Sequence, residues 1–431
     1  MMAVGRLPTR RWVGKRALGE TVLVNAGVLL LGAVTGVVTA RILGPDGRGV
    51  YSLAVAVAAL ASIGLGLGLQ QALAFTVASD PTRAERAAFL SAAVAIGGGV
   101  LGLVVGVPLV NELVSDSFTA NAICIGLVSL PFGLFAGNVT GIFQGLRLGR
   151  PFNVMRLVTP FAFAVLLLTA IGLPGSITAR SAVLFWVLSQ AVAALLAVWL
   201  LRRDHIGVKR ASRRFITATL RYGLVVNVDT LAWQVNRYAG LLVLGVTGTI
   251  TQVGLFSVGL GYAAPVGILA LAIAIHTLPD ISAAANTARA EIAVKRMWTA
   301  ILTTIPLAIL AIAAAPFLIP FAYGAEFRRG VGAAQILIIA QAGLGVAQVM
   351  AEISRGLGRP GLPAVASLVG ALGAMGAIPL LLPRYGIEGI ALGTVVAYAL
   401  MLAILIFGLR RYLEDDRKTD MQSALEDPAA S

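Results

Sequence analysis

Nearly uncharged stretches of about twenty residues recur along this 431-residue chain, and that recurrence decides what it can fold into. Twenty residues is roughly the length a helix needs to cross about 30 Å of hydrocarbon. Twelve such spans fall near 22–40, 49–77, 87–110, 119–143, 156–173, 181–201, 222–245, 253–279, 298–321, 331–354, 362–382 and 387–409. With 58% hydrophobic and 12% charged residues, lipid rather than water is the solvent that suits the chain. A β-barrel would show short alternating segments instead. The expected fold is all-α and integral to the membrane, with about twelve transmembrane helices.

The formal charge of +14 could point to nucleic acid, but its distribution argues otherwise. Loops on one side, counted with the first nineteen residues and the tail from Arg410, carry 26 lysines and arginines. The opposite side carries 6: Arg41, Arg48, Arg180, Arg328, Arg329 and Arg384. Such a bias, alternating with span number, follows the rule that basic loops stay in the cytoplasm. It predicts a multi-pass protein of the bacterial cytoplasmic (inner) membrane with both termini cytoplasmic. The basic side would also face anionic membrane lipid, and no nucleic-acid partner is expected. Cys124 is the sole cysteine, so an internal disulfide and a cysteine metal cluster are excluded.

The expected organisation has five parts. A basic cytoplasmic leader covers 1–21, an N-terminal six-helix lobe 22–201, and a basic cytoplasmic linker 202–221. A C-terminal six-helix lobe covers 222–409, and a polar tail, read as disordered, covers 410–431. The lobes repeat. Gly49-Val50-Tyr51-Ser52-Leu53 opens span 2 and Gly254-Leu255-Phe256-Ser257-Val258 opens span 8. Gln144-Gly145-Leu146-Arg147-Leu148-Gly149-Arg150-Pro151 closes span 4, and Arg355-Gly356-Leu357-Gly358-Arg359-Pro360 closes span 10. Both members of each pair fall on one side of the membrane, which predicts a parallel repeat about a pseudo-twofold along the membrane normal.

The segment 39–54, TARILGPDGRGVYSLA, resembles the junction of the first two helices in polysaccharide transporter flippases. These are the O-antigen and exopolysaccharide (Wzx-type) flippases of the multidrug/oligosaccharidyl-lipid/polysaccharide superfamily. The segments 66–72 (GLGLQQA), 220–224 (LRYGL), 321–327 (FAYGAEF) and 356–360 (GLGRP) are similar to landmarks of that family in the same order. The resemblance implies two six-helix lobes and a central cavity open alternately to each side. It also implies outward movement of a polyprenyl-pyrophosphate-linked oligosaccharide, with polysaccharide assembly proteins as candidate partners. The family often follows a basic residue in helix 7 with an aspartate, which Arg237-Tyr238-Ala239-Gly240 lacks.

Ionisable groups inside a span cost about 2.5–3.5 kcal/mol on insertion scales, so they face a cavity or a partner. Span 7 holds the densest set. Asn227, Thr230, Gln234 and Arg237 share one helical face, with Asp229 and Asn236 on the adjacent strip. One reading has this face line the cavity, with the Arg237 fork on the pyrophosphate. The other has Arg237 bonded to Asp229 or a carbonyl, stapling two helices. Asn25, Asn138, Arg41, Gln341 and Gln348 are further substrate-contact candidates; each also fits a helix–helix bond or an interfacial role. Asp229 and Glu352 are candidates for coupling to protons or sodium, although Glu352 and Arg355 also suit an i,i+3 ion pair. His276 reads as an interfacial group. Gly32, Gly36, Gly64, Gly66 and Gly68 read as points where helices approach closely. Pro131, Pro160, Pro265, Pro306 and Pro379 read as kinks.

Three other functions compete with this one. A multidrug or cation antiporter needs buried carboxylates, and span 1 has none beyond Glu20 at its edge. A lipid II flippase shares the superfamily. A membrane polysaccharide polymerase or ligase would carry catalytic groups on a sizeable external loop, and the acids outside are single: Asp46, Glu112, Asp116, Glu326 and Glu388. The sequence therefore predicts a carrier working by alternating access, not an enzyme, without cofactor or metal.

Overall fold

The computed structural model describes the backbone from Lys15 to Glu426, leaving out residues 174, 284, 285 and 360. Thirteen α-helices make up almost all of it: α1 (Lys15–Gly66), α2 (Leu69–Ser79), α3 (Ala84–Leu113), α4 (Ser117–Leu127), α5 (Leu130–Gly145), α6 (Gly149–Ile171), α7 (Ala179–Arg203), α8 (Arg213–Thr247), α9 (Ile250–Ala263), α10 (Val266–Ala283), α11 (Asn286–Tyr323), α12 (Val331–Gly356) and α13 (Gly361–Glu426). No strand occurs among the described residues.

Among the described residues, eight segments are long and apolar enough to cross a membrane. Two of them are pairs of helices. α1 is interrupted at Gly44 (φ 64°, ψ −177°) and α13 at Gly386 (φ 56°, ψ −133°), conformations that glycine adopts without the strain a Cβ would bring. Beyond Gly386 the chain runs back along itself. A Cβ on Gly389 would lie 2.3 Å from the Leu381 carbonyl oxygen, one on Gly393 2.5 Å from Ile378, and one on Gly408 2.5 Å from Leu362. At Gly44 the return is tied by a hydrogen bond from Arg48 to the Thr39 hydroxyl. The loops expected between spans 1 and 2 and between spans 11 and 12 are thus turns of one residue. α8 is too polar to qualify by hydropathy, and α9 and α10 are too short singly. They supply spans 7 and 8 and complete twelve helices.

Three spans are broken by local chemistry. Span 2 breaks at Leu67 and Gly68, both left-handed (φ 52° and 63°), and resumes as α2. Span 4 breaks between α4 and α5, with Pro131 in the first turn of α5, where a missing N–H costs nothing. Span 8 breaks between α9 and α10 at Ala264 and Pro265. α13 continues to Glu426, where a disordered tail was expected; residues 411–426 are rich in strong helix formers such as Leu, Glu, Arg and Lys.

The residues divide at Leu231/Ala232 into two compact units. In the first, α1 packs on α4 and α6, and α2 on α5. Its core is set by Leu69, Leu73, Ile142 and Phe143, all buried. In the second, α12 is the hub against which α10, α11 and α13 pack. The fourth and tenth spans are the most buried of the apolar segments, each with 56% of its apolar window covered. Elsewhere large apolar side chains face outward, Phe317 being 77% and Phe321 76% exposed, as a lipid-facing surface requires.

The sequence repeat has a physical meaning. α5 ends with the Arg147 N–H on the Gln144 carbonyl and the Leu148 N–H on Phe143, around a left-handed Arg147. α12 ends with the Gly358 N–H on Arg355 and the Arg359 N–H on Ser354, around a left-handed Gly358. Both are Schellman stops, which satisfy the last free carbonyls of a helix.

Candidate functional site

In the first unit, the break in span 2 creates a polar cavity. Helix α2 lies close against α5, where a Cβ on Gly141 would meet the Gln70 carbonyl at 2.2 Å and one on Gly145 the Ala74 carbonyl at 2.7 Å. Small residues four apart let the backbones approach this closely. α8 reaches the break itself. A Cβ on Gly68 would sit 2.2 Å from the Gly223 carbonyl oxygen, and one on Gly223 2.5 Å from that of Leu67. A helix break leaves carbonyls without their usual N–H donors. In the last turn of α1 the Ile63 carbonyl accepts from Asn227 Nδ2 at 3.2 Å.

The cavity beside this junction has a volume near 130 Å³, and Ser62, Gln70, Gln71, Asn138, Asn227 and Thr230 give it its polar wall. Asn227 and Asn138 are buried. The Asn138 amide nitrogen has no hydrogen-bond partner, so the wall keeps an unused donor. The Thr230 hydroxyl donates to the Val226 carbonyl within its own helix.

A second cluster in the same unit joins α1, α6 and α7. Arg156 Nη2 donates to Asn25 Oδ1 at 2.6 Å, and its guanidinium lies 5.5 Å from the Phe152 ring centre. One turn on, the Thr159 hydroxyl donates to Gln190 Oε1 at 3.3 Å. Gln190 in turn approaches Gly133, which lines the cavity. The spans drawn from hydropathy begin at 156, which leaves Arg156 at a loop's edge. α6 in fact starts at Gly149 and carries this half-buried arginine about 10 Å along its axis. Among the described residues it forms no ion pair; its hydrogen bond goes to a neutral amide.

The other predicted residues fall elsewhere. In the second unit, Asn236 is buried and its Nδ2 donates to the Ser367 carbonyl at 3.0 Å, joining α8 to α13. Gln234 is half-buried, and Arg237 is exposed with its guanidinium 5.7 Å from the Tyr238 ring centre. Gln341 and Gln348 are half-buried on α12, Gln341 close to Gly267. Glu352 pairs with Arg355 within α12. Arg41 is exposed, three residues before the Gly44 turn. The side chains of Asp229 and His276 lie outside the described residues. At Gly32, Gly36 and Gly64 a Cβ would meet nothing within 4 Å, so the expected close approaches are absent there. At Gly66 and Gly68 they are present. No group of three or more metal-ligating residues occurs among the described residues.

Sequence reasoning passed over Gln70, Gln71, Arg156 and Gln190. The glutamines were visible, since Gln70 and Gln71 stand in the segment 66–72 and Gln190 is a lone amide inside an apolar span. A boundary error hid Arg156.

Solved structures of the MOP superfamily share this arrangement of helices. The chain is similar to an inward-facing multidrug resistance MATE transporter (TM-score 0.74, 14% identity, 91% of this chain and 95% of that one). It is similar to the lipid II flippase MurJ in an inward closed conformation (TM-score 0.75, 14% identity, 90% and 87%). A MOP-superfamily transporter from Pyrococcus furiosus also matches (TM-score 0.54, 17% identity, 92% of each chain). The chain belongs to the polysaccharide biosynthesis protein family, whose model matches residues 18–285. No curated protein matches it in sequence.

Proposed function

We propose that this membrane protein is a flippase. It would move a polyprenyl-pyrophosphate-linked oligosaccharide from the cytoplasmic to the outer leaflet of the bacterial inner membrane, for surface polysaccharide assembly. It would work by alternating access, with both termini cytoplasmic and no covalent chemistry. The observation that carries the reading is Arg156, a guanidinium inside a span, bonded to a neutral amide one turn from the Thr159–Gln190 pair, which lies beside the polar cavity. An intramembrane cation without a carboxylate suits an anionic cargo, and its planar fork matches phosphate oxygens. Family membership favours a lipid-linked sugar over a drug, and a lipid II flippase shows that the fold can serve such a cargo.

In this reading Arg156, Asn25, Asn138, Asn227 and Thr230 contact the headgroup from the first unit. Arg237, Gln234, Arg41, Gln341 and Gln348 are the remaining candidate contacts, Asn236 being committed to the Ser367 carbonyl, and Asp229 and Glu352 the candidates for ion coupling. The test is mass spectrometry of lipid-linked sugars in a deletion strain rescued by wild type, Arg156→Ala or Arg237→Ala. Accumulation of a polyprenyl-pyrophosphate oligosaccharide with loss of surface polymer, unrescued by Arg156→Ala at normal abundance, is the expected result. Unchanged lipid-linked sugars and surface polymer would instead favour an antiporter, which the equally close MATE fold allows.

A further inference from the structure

The first unit holds a second, larger cavity, of about 480 Å³, walled by α2, the turn after it, the first turn of α3 and the first turns of α8. Its chemistry differs from the first. Phe75 of α2 and Tyr222 of α8 stack on each other in its wall, ring centres 4.7 Å apart and planes within 10°. Both stay open, at 56% and 40% exposure. Around them stand Arg83, Arg86 and Arg214, with the hydroxyls of Thr76, Ser79, Ser212 and Thr219.

The charge here is not balanced. Arg83 is held by Asp80 at 2.9 Å. The other nearby acids are turned away: Glu85 lies against Gly207, and Asp204 is paired with Arg203. Among the described residues, Arg86 and Arg214 therefore present positive charge to the cavity with no carboxylate paired to either. Scattered interfacial arginines and aromatics, the ordinary furniture of a membrane surface, would not need to share one concave site. Here the two aromatic rings come from different helices and form one wall, and the guanidinium groups stand on the walls beside it.

We infer that this cavity is a docking site for a phosphate-bearing sugar headgroup, used before the cargo enters the inner cavity. Guanidinium forks recognise phosphate oxygens. The weakly positive C–H face of a sugar ring lies well on the negative face of an aromatic ring. The hydroxyls supply neutral hydrogen bonds to sugar oxygens. The inference rests on the flippase reading for the identity of the cargo. Its phosphate chemistry is shared by ordinary anionic phospholipids, and the test separates the two.

The full chain, reconstituted in neutral phosphatidylcholine nanodiscs, is titrated with a short-chain polyprenyl-pyrophosphate sugar, and binding is followed directly. The expected result is saturable binding that weakens tenfold or more in Arg86→Gln/Arg214→Gln and a few-fold in Tyr222→Ala. Arg86→Lys/Arg214→Lys should recover part of the loss, which a folding defect would not. Phosphatidylglycerol added to the nanodisc should leave the binding intact. Unchanged binding in both charge and aromatic variants overturns the inference, as does full displacement by phosphatidylglycerol, which would mark an unspecific anionic-lipid surface. Because no transport is measured, loss of this site with normal flipping refutes the docking step alone. Intact binding with no change in lipid-linked sugars in the deletion strain refutes the flippase reading alone.

Discussion

The two units use intramembrane polar groups differently. In the first, side chains meet one another, Arg156 with Asn25 and Thr159 with Gln190, and the Asn138 amide nitrogen stays unused at a cavity wall. In the second, among the described residues, bonds between helices inside the spans go to backbone carbonyls: Asn236 to Ser367, Tyr262 to Ala311 at 3.0 Å, and Gln335 to Ile312 at 3.1 Å, while Arg296 pairs with Asp280 where α10 and α11 meet. A side chain on a carbonyl ties two helices and has little left for a ligand. A side chain held by another side chain, or unused, can exchange its partner. The contrast places the adaptable chemistry in the first unit and the fastenings in the second, with Asn227, bonded to Ile63, as the fastening on the other side.

The largest effect should come from charge. Arg156→Ala is expected to slow flipping ten- to a hundredfold, since hydrogen bonds to a charged group contribute about 1.5–3 kcal/mol. Lipid-linked sugar turnover measures it. An equal loss in Arg237→Ala, with Arg156→Ala harmless, would reverse the comparison.

Backbone packing comes next. Gly68→Ala brings a methyl group into the Gly223 carbonyl at a left-handed residue, and should lower stability by about 2–4 kcal/mol. Gly358→Ala, left-handed but in open space, should cost about 1 kcal/mol. Thermal unfolding in detergent ranks them; similar losses would mean the α2–α8 junction is looser than it looks.

The asparagines sharpen the contrast further. Asn236→Ala should lose about 0.6 kcal/mol, a typical interhelical hydrogen bond in a membrane, with little change in transport per folded molecule. Asn138→Ala should do the opposite, leaving the melting temperature in place while slowing transport. If Asn138→Ala is the destabilised variant, the cavity wall is structural.

The smallest effect is a cap. Asp116 accepts from the Thr119 hydroxyl at 2.5 Å and from the Thr119 N–H at 2.9 Å, opening α4; α12, in the tenth span, starts at Gly330 without a side-chain cap. The Thr119 hydroxyl, before any other contact, holds the Asp116 carboxyl below its ordinary value of 3.8. A depressed carboxylate stabilises above its unfolded pKa and loses that contribution as pH falls through its folded one. Hydrogen exchange at the start of α4 should therefore rise below about pH 4, while α12 shows no matching change. Asp116→Ala should raise it at neutral pH and flatten the pH response.

Much of the fold was legible because hydrophobic length and charge position act residue by residue. Arg147 and Gly358 even sit in recognisable helix stops. What stayed hidden depends on geometry that composition does not encode. Hydropathy drew span 5 from 156 because Arg147, Arg150 and Arg156 look like one basic loop, yet α6 runs through the last two. Gln70 and Gln71 were visible as residues, but only the break at Leu67 and Gly68 turns them toward a cavity. Gly32 and Gly36 had the spacing of a packing motif and no neighbour to pack on.

The one-residue turn at Gly386 bears on how the protein is made. A helix leaving the ribosome can pause in the bilayer only if the following loop has somewhere to go, and here there is no loop. The two limbs of α13, in contact from Leu381 and Gly389 down to Leu362 and Gly408, must enter lipid together as a hairpin. Their shared insertion energy, not that of either limb, then decides whether synthesis ends with the chain threaded correctly. A reporter or tag spliced at Gly386 would part the pair and misdirect the last two crossings.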